Sequence, residues 1–186
     1  MNENVAPIIG AIFCISEMVL TIVTRRGQRD AAADAGTLRL IWIVVMASIA
    51  AQFVSARVFP QATLGDVQLA RAVGVALFVL GAALRWYSIF YLGRYFTVDV
   101  RVAEQQPVVD TGPYRFIRHP SYTGAFMQFL GLALCIANRY AILMLVPIVL
   151  VFLYRIHVEE RALERGLGER YASYRRRTKR LIPFVY

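Results

Sequence analysis

The sequence predicts an all-α integral membrane protein with about five transmembrane helices. Of its 186 residues, 58% are hydrophobic and the mean hydropathy is +0.52, which is too apolar for an ordinary soluble domain. Five apolar runs alternate with short segments that hold most of the charge. We therefore predict one transmembrane domain over 1–186, with a three-helix part (1–92) followed by a part (93–186) that carries a cytosolic site near the C-terminus.

The first three apolar runs form the N-terminal part, and each is about long enough to cross a bilayer. They are Pro7 to Thr24, Leu38 to Phe59, and Ala70 to roughly Leu92. Glu3 precedes the first run and three arginines follow it, Arg25, Arg26 and Arg29. This is the reverse of the charge order in a cleaved signal peptide. By the positive-inside rule, we expect the N-terminus outside and the C-terminus in the cytoplasm.

The net charge of +9, from 21 basic and 12 acidic residues, could indicate a nucleic-acid partner or a membrane. The arginines fall between the apolar runs and at the C-terminus, where membrane orientation and anionic headgroups place them. We therefore expect membrane lipids as partners and no nucleic acid. The membrane would be the inner or cell membrane in a prokaryote and the endoplasmic reticulum in a eukaryote.

The last two apolar runs, Tyr122 to Ile136 and Ala141 to Tyr154, are separated by a short turn and predict a helical hairpin. Pro147 should kink the second of these helices. That helix continues without a breaker to Gly166, so its polar end would form a wall of a cytosolic site. Beyond it, Glu169 to Lys179 predicts a short, basic surface helix.

The stretch Gly112 to Tyr122 is polar, cationic and aromatic, and it lies between two apolar runs. Pro120 biases His119 away from helical geometry and suits the first position of a new helix. The positive end of that helix would face the membrane surface, where an anionic group could bind. Considered alone, Arg115 and Arg118 are typical of juxtamembrane cations that orient a chain.

Two charges, Glu17 and Arg85, lie inside apolar runs, where an unpaired charge is costly. Both are about 12 to 14 Å from the cytoplasmic ends of their helices at 1.5 Å per residue. We therefore predict that they form an ion pair, either structural or in contact with a substrate. In the same run as Arg85, Gly74 and Gly81 predict close approach of another helix.

Arg155 and Glu159 are four residues apart and share one helix face near the cytoplasmic boundary. They are either an interfacial charge pair or a binding site, with a planar donor for a carboxylate and an acceptor for a cationic ligand. Glu160 is expected to be solvated. His119 and His157 lack metal-ligand spacing, so no metal site is predicted. His119 could be a general base or a hydrogen-bonding residue.

Several short motifs in the C-terminal half occur together and in order. They are Leu92-Gly93-Arg94-Tyr95-Phe96-Thr97, Gly112-Pro113-Tyr114, Arg118-His119-Pro120-Ser121-Tyr122 with Gly124, Arg155 with Glu159-Glu160, Gly168-x-x-Tyr171-x-x-Tyr174, and Arg180-Leu181-Ile182-Pro183. Over roughly the last hundred residues, the sequence resembles the isoprenylcysteine carboxyl methyltransferase family. These are integral membrane enzymes that depend on S-adenosylmethionine, and they are related to phospholipid methyltransferases.

The resemblance implies that 93–186 is the cofactor-binding and catalytic part, with a cofactor pocket closed from the cytosol by the C-terminal segments and open laterally to a lipidic substrate. It implies catalytic roles for Arg155 and Glu159, with Arg155 holding the substrate carboxylate. The implied S-adenosylmethionine site consists of Asp99, Gln106, Pro107, Val108, Val109, Tyr114, His119, Pro120, Ser121, Tyr122 and Glu159.

The chemistry of these residues agrees with that activity. A carboxylate is already nucleophilic at neutral pH, so methyl transfer needs alignment and exclusion of water rather than a strong base. Arg155 would align the acid, Glu159 would bind the cofactor's ammonium group, and aromatic side chains would face the sulfonium through cation–π attraction.

Four alternatives stay open from the sequence. The acceptor could be another lipophilic acid or an enol instead of an isoprenylcysteine, or it could be a phospholipid amine, although Arg155 would repel a cationic amine. An enone or sterol reductase of similar topology would require a nicotinamide cofactor, and a noncatalytic lipid-binding protein would bind none. The sequence indicates neither the acceptor nor the oligomeric state.

Overall fold

The structure is a computed structural model that describes residues 4–24, 36–96, 107–183 and 185, apart from the side chain of Arg94. Within these residues the fold is all-helical, as predicted. Its α-helices are α1 (Val5–Thr24), α2 (Thr37–Val58), α3 (Val67–Leu92), α4 (Pro120–Ile136), α5 (Arg139–Leu143), α6 (Leu145–Leu167) and α7 (Glu169–Arg177). Two 3₁₀ turns, Gly93–Tyr95 and Gly112–Arg115, flank the loop between α3 and α4.

Four helical stretches of the described chain are long and apolar enough to cross a membrane: α1, α2, α3 and the continuous stretch Arg139–Leu167. Large apolar side chains on these helices point outward, including Ile22 (68% exposed), Phe90 (67%) and Leu150 (62%). Such a surface requires lipid, so the chain is a multi-pass membrane protein. α4 has 17 residues and is about 26 Å long at 1.5 Å per residue, so a fifth crossing stays a prediction.

The helix ends follow the local sequence signals. α4 begins at Pro120, two residues before the predicted Tyr122, because the proline ring already has helical φ and needs no N–H partner in the first turn. α3 is capped by Asp66, whose Oδ1 accepts hydrogen bonds from the backbone N–H groups of Gln68 (2.9 Å) and Leu69 (3.0 Å).

A break separates α5 from α6 at Met144. It lies one turn before Pro147, whose ring displaces the carbonyl four residues earlier and which has no N–H to bond it. The predicted effect of this proline is therefore confirmed. α6 then continues past the apolar run through Arg155 and Glu159 to Leu167, where Gly168 ends it with a positive φ of 56°.

α3 and α4 pack closely through two pairs of glycines. A Cβ atom on Gly81 would lie 2.6 Å from the carbonyl oxygen of Gly124, and one on Gly74 would lie 2.7 Å from that of Gly131. The glycines are seven residues apart on both helices, which keeps them on one face of each. The close approach predicted for Gly74 and Gly81 is confirmed, and α4 is the partner.

The turn between α4 and α5 contacts the connection between α2 and α3. Backbone N–H groups of Leu64 and Arg139 donate to the carbonyls of Ala137 (2.9 Å) and Ala62 (2.8 Å), respectively. Asn138 donates to the carbonyl of Phe59 at 2.9 Å and caps α5. These connections therefore meet at one end of the bundle.

Candidate functional site

The site begins at the turn before α4. Gly112 has a φ of 56° and packs so closely on Tyr91 that a Cβ atom would lie 2.5 Å from its ring. Tyr91 also donates a hydrogen bond to the hydroxyl of Thr111, at 2.8 Å. This glycine therefore both forms the turn and lets it sit against α3.

Tyr114 fixes the same turn from inside. Its hydroxyl donates to the carbonyl of Ser88 at 3.2 Å, and its own carbonyl accepts a hydrogen bond from the hydroxyl of Tyr174 at 2.7 Å. Burial, and to a lesser extent the charge of Glu159, raises the pKa of the Tyr114 phenol. The phenol is therefore neutral at physiological pH and acts as a donor.

A cavity lies beside this turn and extends between α1 and α2. The space open to the centres of water molecules is about 170 Å³, whereas one water needs roughly 10–15 Å³ by the same measure. The site therefore has room for a ligand. Its lining includes the predicted residues Pro107, Val108, Val109, Tyr114, His119, Ser121, Tyr122, Arg155 and Glu159.

The polar end of the cavity is organised around Tyr122. Its hydroxyl donates to Oε2 of Glu159 at 2.8 Å and also lies within hydrogen-bonding reach of Arg155. Its ring stacks on that of His119, with centroids 5.6 Å apart and planes inclined by 21°. α4 and α6 thus present an acid, a cation and two stacked rings to one space.

Arg155 is 2% exposed, and it is held from the far side of the bundle. Its Nη1 donates to the hydroxyl of Thr37, the first residue of α2, which is 1% exposed. Because the two residues lie on different helices, this contact orients the guanidinium toward the cavity only when α2 and α6 are packed together.

The opposite end of the cavity is lined by apolar side chains of α1 and α2. We call this the apolar arm, and it consists of Phe13, Leu20, Leu38, Ile41, Trp42 and Val45. Aromatic side chains of α4 and α6, Phe129 and Phe152, close it from behind. One continuous cavity therefore joins a charged end to a hydrocarbon-like end.

Glu17 and Arg85 form the predicted ion pair. Nε and Nη2 of Arg85 donate to the two carboxylate oxygens of Glu17 at 2.6 and 2.7 Å. Nη1 of Arg85 also donates to the carbonyl of Ser121 at 3.2 Å. The pair thus links α1 and α3 to the first turn of α4, and both side chains line the cavity.

The prediction for Glu160 is wrong. This side chain is 3% exposed rather than solvated, and it accepts hydrogen bonds from Nε of Arg118 at 2.8 Å and Nε of Arg180 at 3.0 Å. Arg118 is 9% exposed and lines the cavity, so it is more than a juxtamembrane cation, whereas Arg115 is exposed. Glu160 was misjudged because helix periodicity shows a shared face only when the packing partner is known.

The remaining predicted residues differ in their placement. Pro120 is buried as the first residue of α4 and is not part of the cavity lining. Asp99 and Gln106 lie outside the described residues. His157 is exposed, and the described residues contain no group of three His, Cys, Asp or Glu side chains that could hold a metal ion.

Sequence reasoning missed several lining residues. The basic helix predicted for the surface is α7, and its Tyr171 and Tyr174 are 3% exposed and line the cavity. Their spacing of three was the available signal, since it places both rings on one helix face. Trp42 and the other apolar-arm residues had no such signal, because every residue around them in the run is apolar.

The fold and site define a class of protein: a multi-span helical membrane protein in which one cavity combines a charged, aromatic end with an apolar arm. Residues 74–165 match the model of the isoprenylcysteine carboxyl methyltransferase family. This part of the chain, which contains α3, α4 and most of α6, therefore belongs to that family.

Similar proteins carry related names. Protein-S-isoprenylcysteine O-methyltransferase B of Arabidopsis thaliana is 34% identical over 115 residues, which is 60% of this chain and 58% of that protein. A probable protein-S-isoprenylcysteine O-methyltransferase of Oryza sativa subsp. indica is 25% identical over 178 residues, 94% of this chain and 92% of that one. The match thus spans a little more than half of the Arabidopsis protein's length.

A solved structure is similar as well. The eukaryotic intramembrane Ras methyltransferase, an isoprenylcysteine carboxyl methyltransferase, superimposes with a TM-score of 0.61 and 25% sequence identity. The superposition covers 77% of this chain and 52% of that one. The bundle described above is therefore a known membrane fold.

Proposed function

We propose that this chain is a membrane-embedded, S-adenosylmethionine-dependent carboxyl O-methyltransferase. Its acceptor would be a lipophilic carboxylate such as a C-terminal isoprenylcysteine. The observation that carries the proposal is the single cavity in which Arg155 and Glu159 face the same space as the apolar arm.

The polar end fits the cofactor. Glu159 is half-buried, and Tyr122 orients its carboxylate, so it can accept from an ammonium group. The rings of Tyr122, Tyr114 and Tyr171 around it offer faces to a positively charged sulfur. When bound, S-adenosylmethionine would supply an electrophilic methyl group on that sulfur. His119 and Ser121 would bind the rest of the molecule, with Asp99 and Gln106 added from the loop before the turn.

Arg155 fits the acceptor's carboxylate. Its planar guanidinium can hold two oxygens at once, which leaves a lone pair directed along one line. Because the carboxylate is already ionised, no residue has to remove a proton, and Arg155 acts by alignment. The apolar arm would bind the acceptor's hydrocarbon chain and exclude water from the reacting atoms.

The proposed topology has five spans, with α4 as the fourth and α5–α6 as the fifth, in a hairpin. The N-terminus would be outside and the C-terminus cytoplasmic. In support, the α2–α3 connection and the α4–α5 turn meet at one end of the bundle. The site residues Tyr114, His119 and Tyr174 are associated with the other end, where a water-soluble cofactor would enter. The membrane would be the cell membrane or the endoplasmic reticulum, according to the cell type.

Methyl transfer from a labelled donor to purified lipophilic acceptors tests the proposal. An acylated isoprenylcysteine, a fatty acid and phosphatidylethanolamine should be compared with the protein in nanodiscs. We expect label in the isoprenylcysteine that base releases as methanol, because an ester is base-labile. Label that withstands base and appears in the phospholipid would instead show an amine methyltransferase, and no transfer together with no binding of S-adenosylhomocysteine would contradict the proposal.

Two variants separate the proposed roles. Glu159→Ala should weaken S-adenosylhomocysteine binding by roughly tenfold or more, and Arg155→Ala should raise the acceptor KM by a similar factor, because each removes hydrogen bonds to a charged group. His157→Ala is the matched control, since this side chain is exposed on the same helix. Unchanged methyl transfer in both correctly folded variants would refute these roles.

A further inference from the structure

Glu160 lies next to Glu159 in the sequence but has different surroundings. It is not part of the cavity lining. Its Oε1 accepts from Nε of Arg118 (2.8 Å) and is 3.3 Å from Nε2 of His119, and its Oε2 accepts from Nε of Arg180 (3.0 Å). One carboxylate therefore joins the turn before α4 to the chain after α7.

The chain after α7 is also attached to that turn through its backbone. The N–H groups of Arg118 and His119 donate to the carbonyls of Lys179 (2.8 Å) and Arg180 (3.0 Å). The hydroxyl of Thr123 donates to the carbonyl of Leu181 at 2.8 Å. We call residues 178–181 the C-terminal strap. These backbone bonds position it, but similar bonds to water could replace them when it detaches.

The side chains at this junction give the carboxylate a further role. Arg118 is buried, Arg180 is half-buried, and both guanidinium groups approach the same acid. Without the negative charge of Glu160, two cations would face each other at short range in a poorly hydrated place. Arg180 is the one that can leave, because it lies on the terminal segment, whereas Arg118 is fixed beside α4.

The strap is adjacent to the cofactor end of the cavity. Arg118 and His119, which hold its backbone, both line the cavity, as does Tyr174 one turn before it. Nη1 of Arg118 also donates to the carbonyls of Arg175 and Thr178. Detachment of the strap would therefore remove partners from two lining residues at once.

We propose that Glu160 is a positioning residue that clamps the C-terminal strap to the turn before α4 and so slows cofactor release. The inference rests on the proposed function, because the ligand whose release it controls is S-adenosylmethionine or its product. Glu160 acts through Arg118, Arg180 and His119 and does not contact the cofactor.

Trypsin reports on the strap without any ligand. Lys179 is exposed, but its carbonyl is bonded to Arg118, so the peptide bond after it resists cleavage while the strap is docked. In nanodiscs, Glu160→Gln should speed cleavage after Lys179 about tenfold, as expected for the loss of a charged acceptor. Glu164→Gln is the matched control, because this acid lies one turn further along α6 and pairs with the exposed Arg175.

Ligand dissociation is the second readout. Stopped-flow release of S-adenosylhomocysteine should be about tenfold faster in Glu160→Gln, with the acceptor KM at saturating cofactor unchanged. If Glu160→Gln does not fold, Arg180→Gln keeps the test, because it removes the same contact from a half-buried position. The double variant Glu160→Gln/Arg180→Gln should be no faster than the faster single variant.

Two results would overturn the inference. One is a wild-type rate of cleavage after Lys179 in the folded variants. The other is faster cofactor release while the strap remains protected from trypsin, which would mean that Glu160 acts on the cofactor by another route. If the wild-type protein binds no S-adenosylhomocysteine, the proposed function fails, and the trypsin experiment still decides whether Glu160 clamps the strap.

Discussion

Two buried acids in this protein are surrounded by cations in different ways. Glu17 faces one arginine, and its two oxygens are matched by two donors of Arg85. Glu160 faces two arginines and a histidine that come from two segments of the chain. The first arrangement balances charge between two helices that are otherwise apolar. The second leaves an excess of positive charge at the junction between a turn and a terminal strap.

The difference shows which buried charges hold the bundle and which hold a movable part. Glu17 and Arg85 are each anchored on long helices, so neither can leave without unpacking the bundle. Arg180 lies after the last helix, so it can leave while α1 to α6 stay in place. The comparison thus predicts a large effect on folding at Glu17 and a smaller, local effect at Glu160.

The largest expected effect follows from breaking the first pair. Glu17→Leu leaves the buried Arg85 without its acid and should destabilise the fold by about 3–5 kcal/mol. Glu17→Leu/Arg85→Met should recover most of this stability, because an apolar pair of similar volume replaces the ion pair. Thermal unfolding in one detergent measures both. A double variant as unstable as the single one would show that the pair does more than balance charge, for example through Ser121.

An intermediate effect is expected where a buried arginine is oriented by a hydroxyl. Thr37→Val keeps the shape of the side chain and removes the acceptor for Arg155, so we expect about 1 kcal/mol less acceptor binding, or a roughly fivefold higher KM. The cofactor affinity should not change. Thr37→Ser retains the hydroxyl and is the control. An equal rise in KM for both variants would show that packing of α2, not the hydrogen bond, matters here.

The smallest effect is expected for an exposed pair close to the strap. Arg176 donates to Glu169 at 2.5 Å, but their side chains are 65% and 78% exposed. Solvent and salt screen such a pair, so Arg176→Gln should change neither the unfolding temperature nor cleavage after Lys179. A marked change in either would mean that α7 as a whole, and not Glu160 in particular, holds the strap.

The two acids also show the reach of sequence reasoning. Glu17 and Arg85 are isolated charges in apolar runs, and their similar depth follows from counting residues, so their pairing was predictable. Glu160 lies among many charges at the polar end of α6, where counting residues cannot select one partner. The same contrast holds for helix ends: Pro120, Pro147 and Gly168 act locally, and their effects follow from backbone chemistry.

The sequence by itself determined the all-helical membrane architecture, the pairing of Glu17 with Arg85, and the family that the C-terminal motifs resemble. These features depend on hydropathy, spacing along a helix and residues close in the chain. Only the tertiary structure decided that Thr37 holds Arg155, that Tyr171 and Tyr174 turn inward, and that Glu160 joins Arg118 to Arg180. Each of these contacts depends on how helices and segments far apart in sequence pack together, and no local pattern specifies that packing.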